Sequence, residues 1–397
     1  MGHAPHHYLD CSATTPLAPE VQQAMLRCQA EAWANPSSLH GFGLTAAEQL
    51  ERQRQRLGVL LGCESGRVVF TSGGTESIHL GILGACRGIG PAGPAGSRLL
   101  ISSVEHPATV AAAAQLEREG WLVQQLPVSR EGLLDLEQLK PLLAPPTRLV
   151  SLIWGQSEVG TVQPLEQIGA LCRGAGVPLH VDAVQVIGHQ LIRFDALPVD
   201  LLSLTAHKLQ GPRGVGALLV RSGLPLAPLW GGGGQEGGLR SGTEPVDLVT
   251  GLVEAVALSQ GRLEANGGDD PIRPLRDALL GPLLRIPGLE LTGVDPRQGA
   301  AAARLPHHIS LVARNHQGTP LSGRRLVQQL WREGFAASSG SACSSGAERP
   351  SPVLLAMGYD AAEAQAGLRL SLGPWHGPDL LDQLPPALEQ ALQRSGL

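Results

Sequence analysis

The sequence predicts an α/β fold: a large domain built on a mostly parallel seven-stranded sheet, with a smaller α/β domain beside it. Two observations carry this. Short apolar runs recur, each followed by a Gly/Ser/Asp-rich break and, in several cases, a helical pattern. Strands that alternate with helices pair in parallel, because the helix supplies the crossover between neighbours. A polar stretch, Asn266–Asp270 with Pro271 behind it, then interrupts the pattern, and a second series of helices and strands follows.

The runs read as strands are Arg67–Thr71, Arg98–Ser103, Trp121–Val128, Arg148–Ile153, Pro178–Asp182, Asp200–Thr205 and Val215–Val220. Helical patterns lie between several of them, at Glu76–Cys86, Thr109–Glu119 and Leu165–Gly174. After the break come a helix at Pro274–Arg285, strands at Leu289–Thr292 and Ile309–Val312, a helix at Gly323–Arg332, a strand at Gly367–Leu372 and a last helix from Asp379. In a sheet of this kind ligands sit beyond the carboxyl ends of the strands, so residues there are the first candidates for chemistry.

Composition narrows the classes. Of 397 residues, 43% are hydrophobic and 16% charged, which suits a sizeable core and excludes global disorder. A net charge of -5 without long runs of one sign argues against a nucleic-acid surface. No apolar stretch reaches membrane-helix length, and Met1–Tyr8, with its three histidines, lacks the apolar core of a signal peptide. The cysteines, at 11, 28, 63, 86, 172 and 343, include no CxxC pair, so no zinc or cluster site is expected. A reduced, cytoplasmic protein is the expectation.

Several segments place chemistry-bearing residues at strand ends. Thr205-Ala206-His207-Lys208 follows an apolar run; a lysine there can be desolvated and form a Schiff base, although an ordinary turn lysine would explain the segment by itself. Asp182 closes another run, where a carboxylate needs a partner such as a pyridinium N–H, or caps a helix. Phe70-Thr71-Ser72-Gly73-Gly74-Thr75-Glu76 runs from strand through glycines into a helix, a setting for a lone phosphate or for plain capping. His106 can stack on a flat ring or move protons, or be structural. Arg240-Ser241-Gly242-Thr243, beyond the glycines 231–234, is an anion-binding segment or an exposed loop.

Together these segments resemble the class V aminotransferases, and among them the cysteine desulfurases. The resemblance runs from Leu9-Asp10-Cys11-Ser12-Ala13-Thr14-Thr15-Pro16 through Asn35-Pro36-Ser37-Ser38-Leu39-His40 and the segments above to Arg369-Leu370-Ser371-Leu372-Gly373. It implies the pyridoxal-phosphate transferase fold of the aspartate-aminotransferase type (fold type I). It also implies a large domain over residues 15–262, with 1–14 and 263–397 forming the small one. Lys208 would bond the pyridoxal phosphate and later move protons, Asp182 pair with its ring nitrogen, and His106 stack on the ring. Gln185 would contact the ring oxygen. Gly74, Thr75, Thr205 and His207 would hold the phosphate, with Thr243 reaching it from the second subunit of a homodimer. Asn35 and Arg369 would hold the substrate carboxylate, and a planar guanidinium suits that task.

Cys343 is the expected nucleophile, in the Ser/Gly-rich segment Ser338–Gly346. The resemblance implies conversion of L-cysteine to L-alanine with the sulfur carried as a Cys343 persulfide, for an acceptor protein in iron-sulfur or other thio-cofactor synthesis. The chain departs from the desulfurase pattern at Gln156-Ser157, where two asparagines are usual, so the cofactor contact expected of Ser157 is shortened. It also departs at Gln235–Gly238 and at Pro374. Selenocysteine lyase, an ordinary aminotransferase and a non-catalytic scaffold are the competing readings.

Overall fold

The protein, described by a computed structural model over residues 7–89, 96–298, 303–340 and 349–395, contains a seven-stranded sheet and a three-stranded one. The large sheet comprises β1 (Arg67–Thr71), β2 (Arg98–Ser102), β3 (Leu122–Leu126), β4 (Thr147–Ile153), β5 (Leu179–Asp182), β6 (Leu201–Thr205) and β7 (Gly216–Val220), in the order β1-β7-β6-β5-β4-β2-β3. All pairs are parallel except those of β7, which runs against both β1 and β6. All seven sequence-expected strands are present. The third is shorter than its apolar run because its outer residues are only partly covered at the sheet edge.

The strands are apolar on both faces, as a sheet covered by helices requires. Leu202, Leu204, Ala217 and Leu219 pack with Val21, Leu57, Val249 and Val253 from helices Pro19–Glu31, Gly41–Leu60 and Val246–Ala265. Their neighbours Leu201, Leu218 and Val220 point the other way, against Ile78, Leu80, Ile82 and Leu116. The expected helix Glu76–Cys86 begins earlier, at Gly74, and runs to Gly88 through a wider turn at Leu80–Gly84. Within that turn Gly81 faces the buried ring of His180, which an added Cβ would meet at 2.6 Å.

The small sheet, β8 (Leu289–Leu291), β9 (His308–Ala313) and β10 (Gly367–Ser371), is antiparallel in the order β10-β9-β8. Its core joins Ile309, Leu311, Leu368 and Leu370 to Leu279, Leu283, Leu330 and Leu388 of the flanking helices. Leu9, at the start of the chain, is fully buried in the same core. The first segment thus belongs to the small sheet. Asp10 bridges Ser371, and the Leu9 N–H donates to Ala336 O at 2.7 Å. Five residues beyond Asp10, Thr15 N and Thr15 Oγ1 both donate to His207 O, which ties the same segment to the turn after β6. Among the described residues no helix is long and apolar enough to cross a membrane.

Candidate active site

Asp182 and Thr205 close β5 and β6, with Asp182 opposite Ser203 in register and Lys208 in the short turn after β6. Gly216 opens β7 at the one point where the backbone of Gly73 comes so near that a Cβ would sit 2.9 Å from the Gly73 Cα. This brings the glycine turn after β1 against Thr205. A Cβ on Gly74 would in turn lie 3.0 Å from Val184 Cγ2 and 3.7 Å from Thr205 Cβ. Gly74 therefore leaves its amide edge bare at the start of a helix, where N–H groups gather for an anion. Glu76 is the capping carboxylate of that turn: its Oε2 accepts from Ser72 N at 2.6 Å, and its Oε1 pairs with Arg240 Nε at 3.0 Å.

Lys208 Nζ donates to the carbonyls of Ser12 and Ala13. Burial pushes its pKa down from 10.5 to about 8; the Arg369 charge adds to the fall, and Asp10 and Asp182 oppose it. A lysine so placed is a substantial fraction neutral near pH 8, as an amine nucleophile must be. Gln185 Nε2 donates to the same Ser12 carbonyl at 2.9 Å. His207 bonds through Nδ1 to Thr14 Oγ1 at 3.1 Å, and burial with the nearby Lys208 charge pushes its pKa down to about 4.

Asp182 is buried, and its Oδ1 accepts from Val184 N at 3.0 Å in a turn with no helix behind it. Burial raises its pKa, opposed by the neighbouring His106 and Lys208. Burial lowers that of His106, whose charge interacts with the same carboxylate and which caps the helix Pro107–Arg118 by accepting from Ala108 N at 3.1 Å. Glu105, which the sequence reading passed over, is close enough for the Asp182 charge to act on it. Fully buried, it accepts from Ser102 Oγ at 2.5 Å and Ile153 N at 3.0 Å, and burial raises its pKa to about 8, with the Asp182 charge adding to the rise.

Arg369, on β10, reaches the same place from the small sheet. It is buried, with Nη2 on Asp10 Oδ1 at 2.7 Å and Nη1 on the Ser157 carbonyl at 3.0 Å. Ser157 thus meets Arg369 through its backbone carbonyl. Gln156 turns inward, donating to Val104 O and accepting from Val159 N. Asn35 lies on an exposed turn, where its Oδ1 accepts from Ser37 N at 2.9 Å, and it makes no hydrogen bond to Arg369 among the described residues. Thr75 and Thr243 are also exposed. Cys343 lies outside the described residues. The other five cysteines are buried, and burial raises each of their pKa values, to about 11 for Cys63 and about 12 for Cys172. They behave as small core side chains, as expected of buried thiols.

The aminotransferase class-V family model matches residues 7–384. A cysteine desulfurase of Cereibacter sphaeroides is 41% identical, covering 96% of each chain. The cysteine desulfurase IscS of Dictyoglomus turgidum is 36% identical over 98% of this chain and 94% of its own. Among solved structures, a NifS-like protein superposes with a TM-score of 0.86 at 30% identity, over 98% of this chain and 100% of its own.

Proposed function

Because the chain belongs to the aminotransferase class-V family, we propose that it is a pyridoxal-phosphate cysteine desulfurase, converting L-cysteine to L-alanine and loading the sulfur on Cys343. The observation that carries this reading is the convergence of a partly neutral Lys208, a buried Asp182 coupled electrostatically to His106 and Lys208, and a buried Arg369 whose charge acts on the same lysine. These residues fit the cofactor. Asp182 would take the ring N–H, His106 the ring face, Gln185 the ring oxygen, and Gly74, Thr75, Thr205 and His207 the phosphate. Pyridoxal phosphate, when bound, supplies an electron sink for the substrate Cα.

The chain's own residues do the rest. Lys208 Nζ would hold the cofactor and, with substrate bound, would move the Cα proton. Arg369 holds the substrate carboxylate, with Asn35 closing on it in the loaded enzyme. The Cys343 thiolate attacks the cysteine sulfur; a new S–S bond forms, the Cβ–S bond breaks with its electron pair on carbon, and that carbon takes up a proton. The persulfide sulfur then passes to an acceptor protein for iron-sulfur or other thio-cofactor synthesis.

In this reading residues 15–262 bind the cofactor, and 1–14 with 263–397 form the small domain that carries Cys343. The enzyme is a cytoplasmic homodimer in which Thr243 of one subunit serves the phosphate of the other. Incubation of the cofactor-loaded protein with L-cysteine is expected to give alanine and a protein persulfide in equal amounts at first. Alanine formed from pyruvate without a persulfide would instead identify an ordinary aminotransferase, and turnover confined to selenocysteine would identify a lyase for that substrate.

A further inference from the structure

Arg369 is the guanidinium to which the reading above gives the substrate carboxylate, yet it already holds a carboxylate of its own chain. Asp10 Oδ1 sits 2.7 Å from Nη2, with the arginine side chain 8% and the aspartate side chain 23% exposed. The guanidinium is only partly committed. Nη1 goes to the Ser157 carbonyl, and the buried Nε has no hydrogen-bond partner. A buried N–H donor left without an acceptor is costly, so this edge is built for an acceptor from outside. Asp10 itself is fixed by its backbone, which bridges Ser371 on the strand of Arg369 and accepts from Ala13 N at 2.9 Å. Its carboxylate also lies near enough to Lys208 to favour the charged amine.

We propose that Asp10 is a resident counter-ion of the carboxylate subsite, sharing Arg369 with the incoming substrate and setting how tightly that carboxylate is held. This rests on the assignment of Arg369 to the substrate carboxylate. The charge balance gives the direction. Arg369 presents a positive charge to an incoming anion; Asp10 offsets it and competes for the same guanidinium. The carboxylate of substrate and product is therefore bound less tightly than the arginine alone would hold it. The benefit is release: L-alanine carries the same carboxylate as L-cysteine and must leave in every turnover.

The test compares L-alanine with L-alaninamide, which keeps the amino group but lacks the charged carboxylate, by spectral titration of the cofactor-loaded protein. In Asp10→Asn the geometry is kept and the charge removed. L-alanine is expected to bind about three- to tenfold more tightly, while L-alaninamide affinity stays unchanged. In the cofactor-free protein the pH at which Lys208 loses its proton is expected to fall in the same variant, because a neighbouring negative charge is gone. Asp10→Ser, which removes the side-chain contact as well, is expected to show the same selectivity for the charged ligand and provides the answer if the first variant does not fold. Equal changes for both ligands, or none for L-alanine, would overturn the proposal. Arg369→Gln separates the two levels. If it leaves L-alanine affinity intact, the assignment of Arg369 is wrong; if it weakens L-alanine while the Asp10 variants do not tighten it, only the role of Asp10 is wrong.

Discussion

Lys208 Nζ lies 2.8 Å from the carbonyl oxygen of Ala13, so the amine at the end of the central sheet is held by the first segment of the chain. Both this carbonyl and that of Ser12 are acceptors only. Burial and Arg369 favour the free amine, Asp10 and Asp182 favour the ammonium, and the balance falls near pH 8.

The rate at which the cofactor-free protein captures pyridoxal phosphate should follow this balance. Below about pH 8 the amine is protonated and cannot attack; above it the neutral form dominates. Capture is expected to rise with a midpoint near 8, well below the ordinary lysine value of 10.5. Stopped-flow absorbance over a pH series measures it, and a midpoint near 10 would contradict the burial described. Lys208→Ala is expected to abolish covalent capture and activity while leaving the circular dichroism unchanged.

Replacing Cys343 by Ser should separate binding from sulfur chemistry. Cofactor content and the spectral response to L-cysteine are expected to persist, since neither uses the thiol. Alanine production is expected to fall by at least about a hundredfold. The five buried cysteines have raised pKa values and form little thiolate, so brief alkylation of the native protein is expected to label one site and to label none in this variant. Substituting any of the five should leave turnover largely intact.

Gly81→Ala tests the packing under the sheet. Its Cβ would fall 2.6 Å from His180 Cδ2 and 2.8 Å from Nε2. That ring is fixed by Ser151 Oγ at 2.8 Å and Ser203 Oγ at 2.9 Å and has little room to yield. A loss of about 1–3 kcal/mol is expected, measured as a lower denaturation midpoint. An unchanged midpoint would mean that the helix shifts freely at its wide turn.

Two buried groups should give stability opposite slopes with pH. Glu105 holds its proton to about pH 8 in the fold against 4.5 ordinarily, so its contribution is full below the lower value and is lost as pH rises through the higher. His180 is pushed down to about 3 from 6.5, so its contribution is present above 6.5 and is lost as pH falls. Glu105→Gln keeps an acceptor for Ser102 and Ile153 but cannot ionise. Denaturation midpoints for this variant are expected to fall less than those of the parent between about pH 5 and pH 8, with the acid side unchanged.

The strands were legible because each is a short apolar run closed by small polar residues, and Asp182, Thr205 and Lys208 were legible because they sit where such runs end. The reversed direction of β7 was not, since its apolar residues suit either direction and its pairing with β1 joins residues far apart in the chain. Glu105 was passed over because nothing local distinguishes a buried carboxyl from a first-turn one; its burial comes from Ile153, on another strand. The same holds for Asp10, whose partner is on the last strand. Asn35 was named from resemblance, and its exposed turn keeps it from Arg369 in this structure. The long helices Gly41–Leu60 and Val246–Ala265 went unread, because their partly buried faces mix polar residues such as Gln53, Ser259 and Gln260 with the apolar ones.

The docking of residues 8–15 against both β10 and the turn after β6 also sets an order of events during synthesis. This segment is translated more than three hundred residues ahead of its partners Arg369 and Ser371. The seven strands of the large sheet can assemble beforehand, yet Lys208 and Arg369 meet only once β10 has appeared. A nascent chain stopped before residue 367 would therefore carry the lysine without the arginine, and cofactor and substrate would have no finished site to enter.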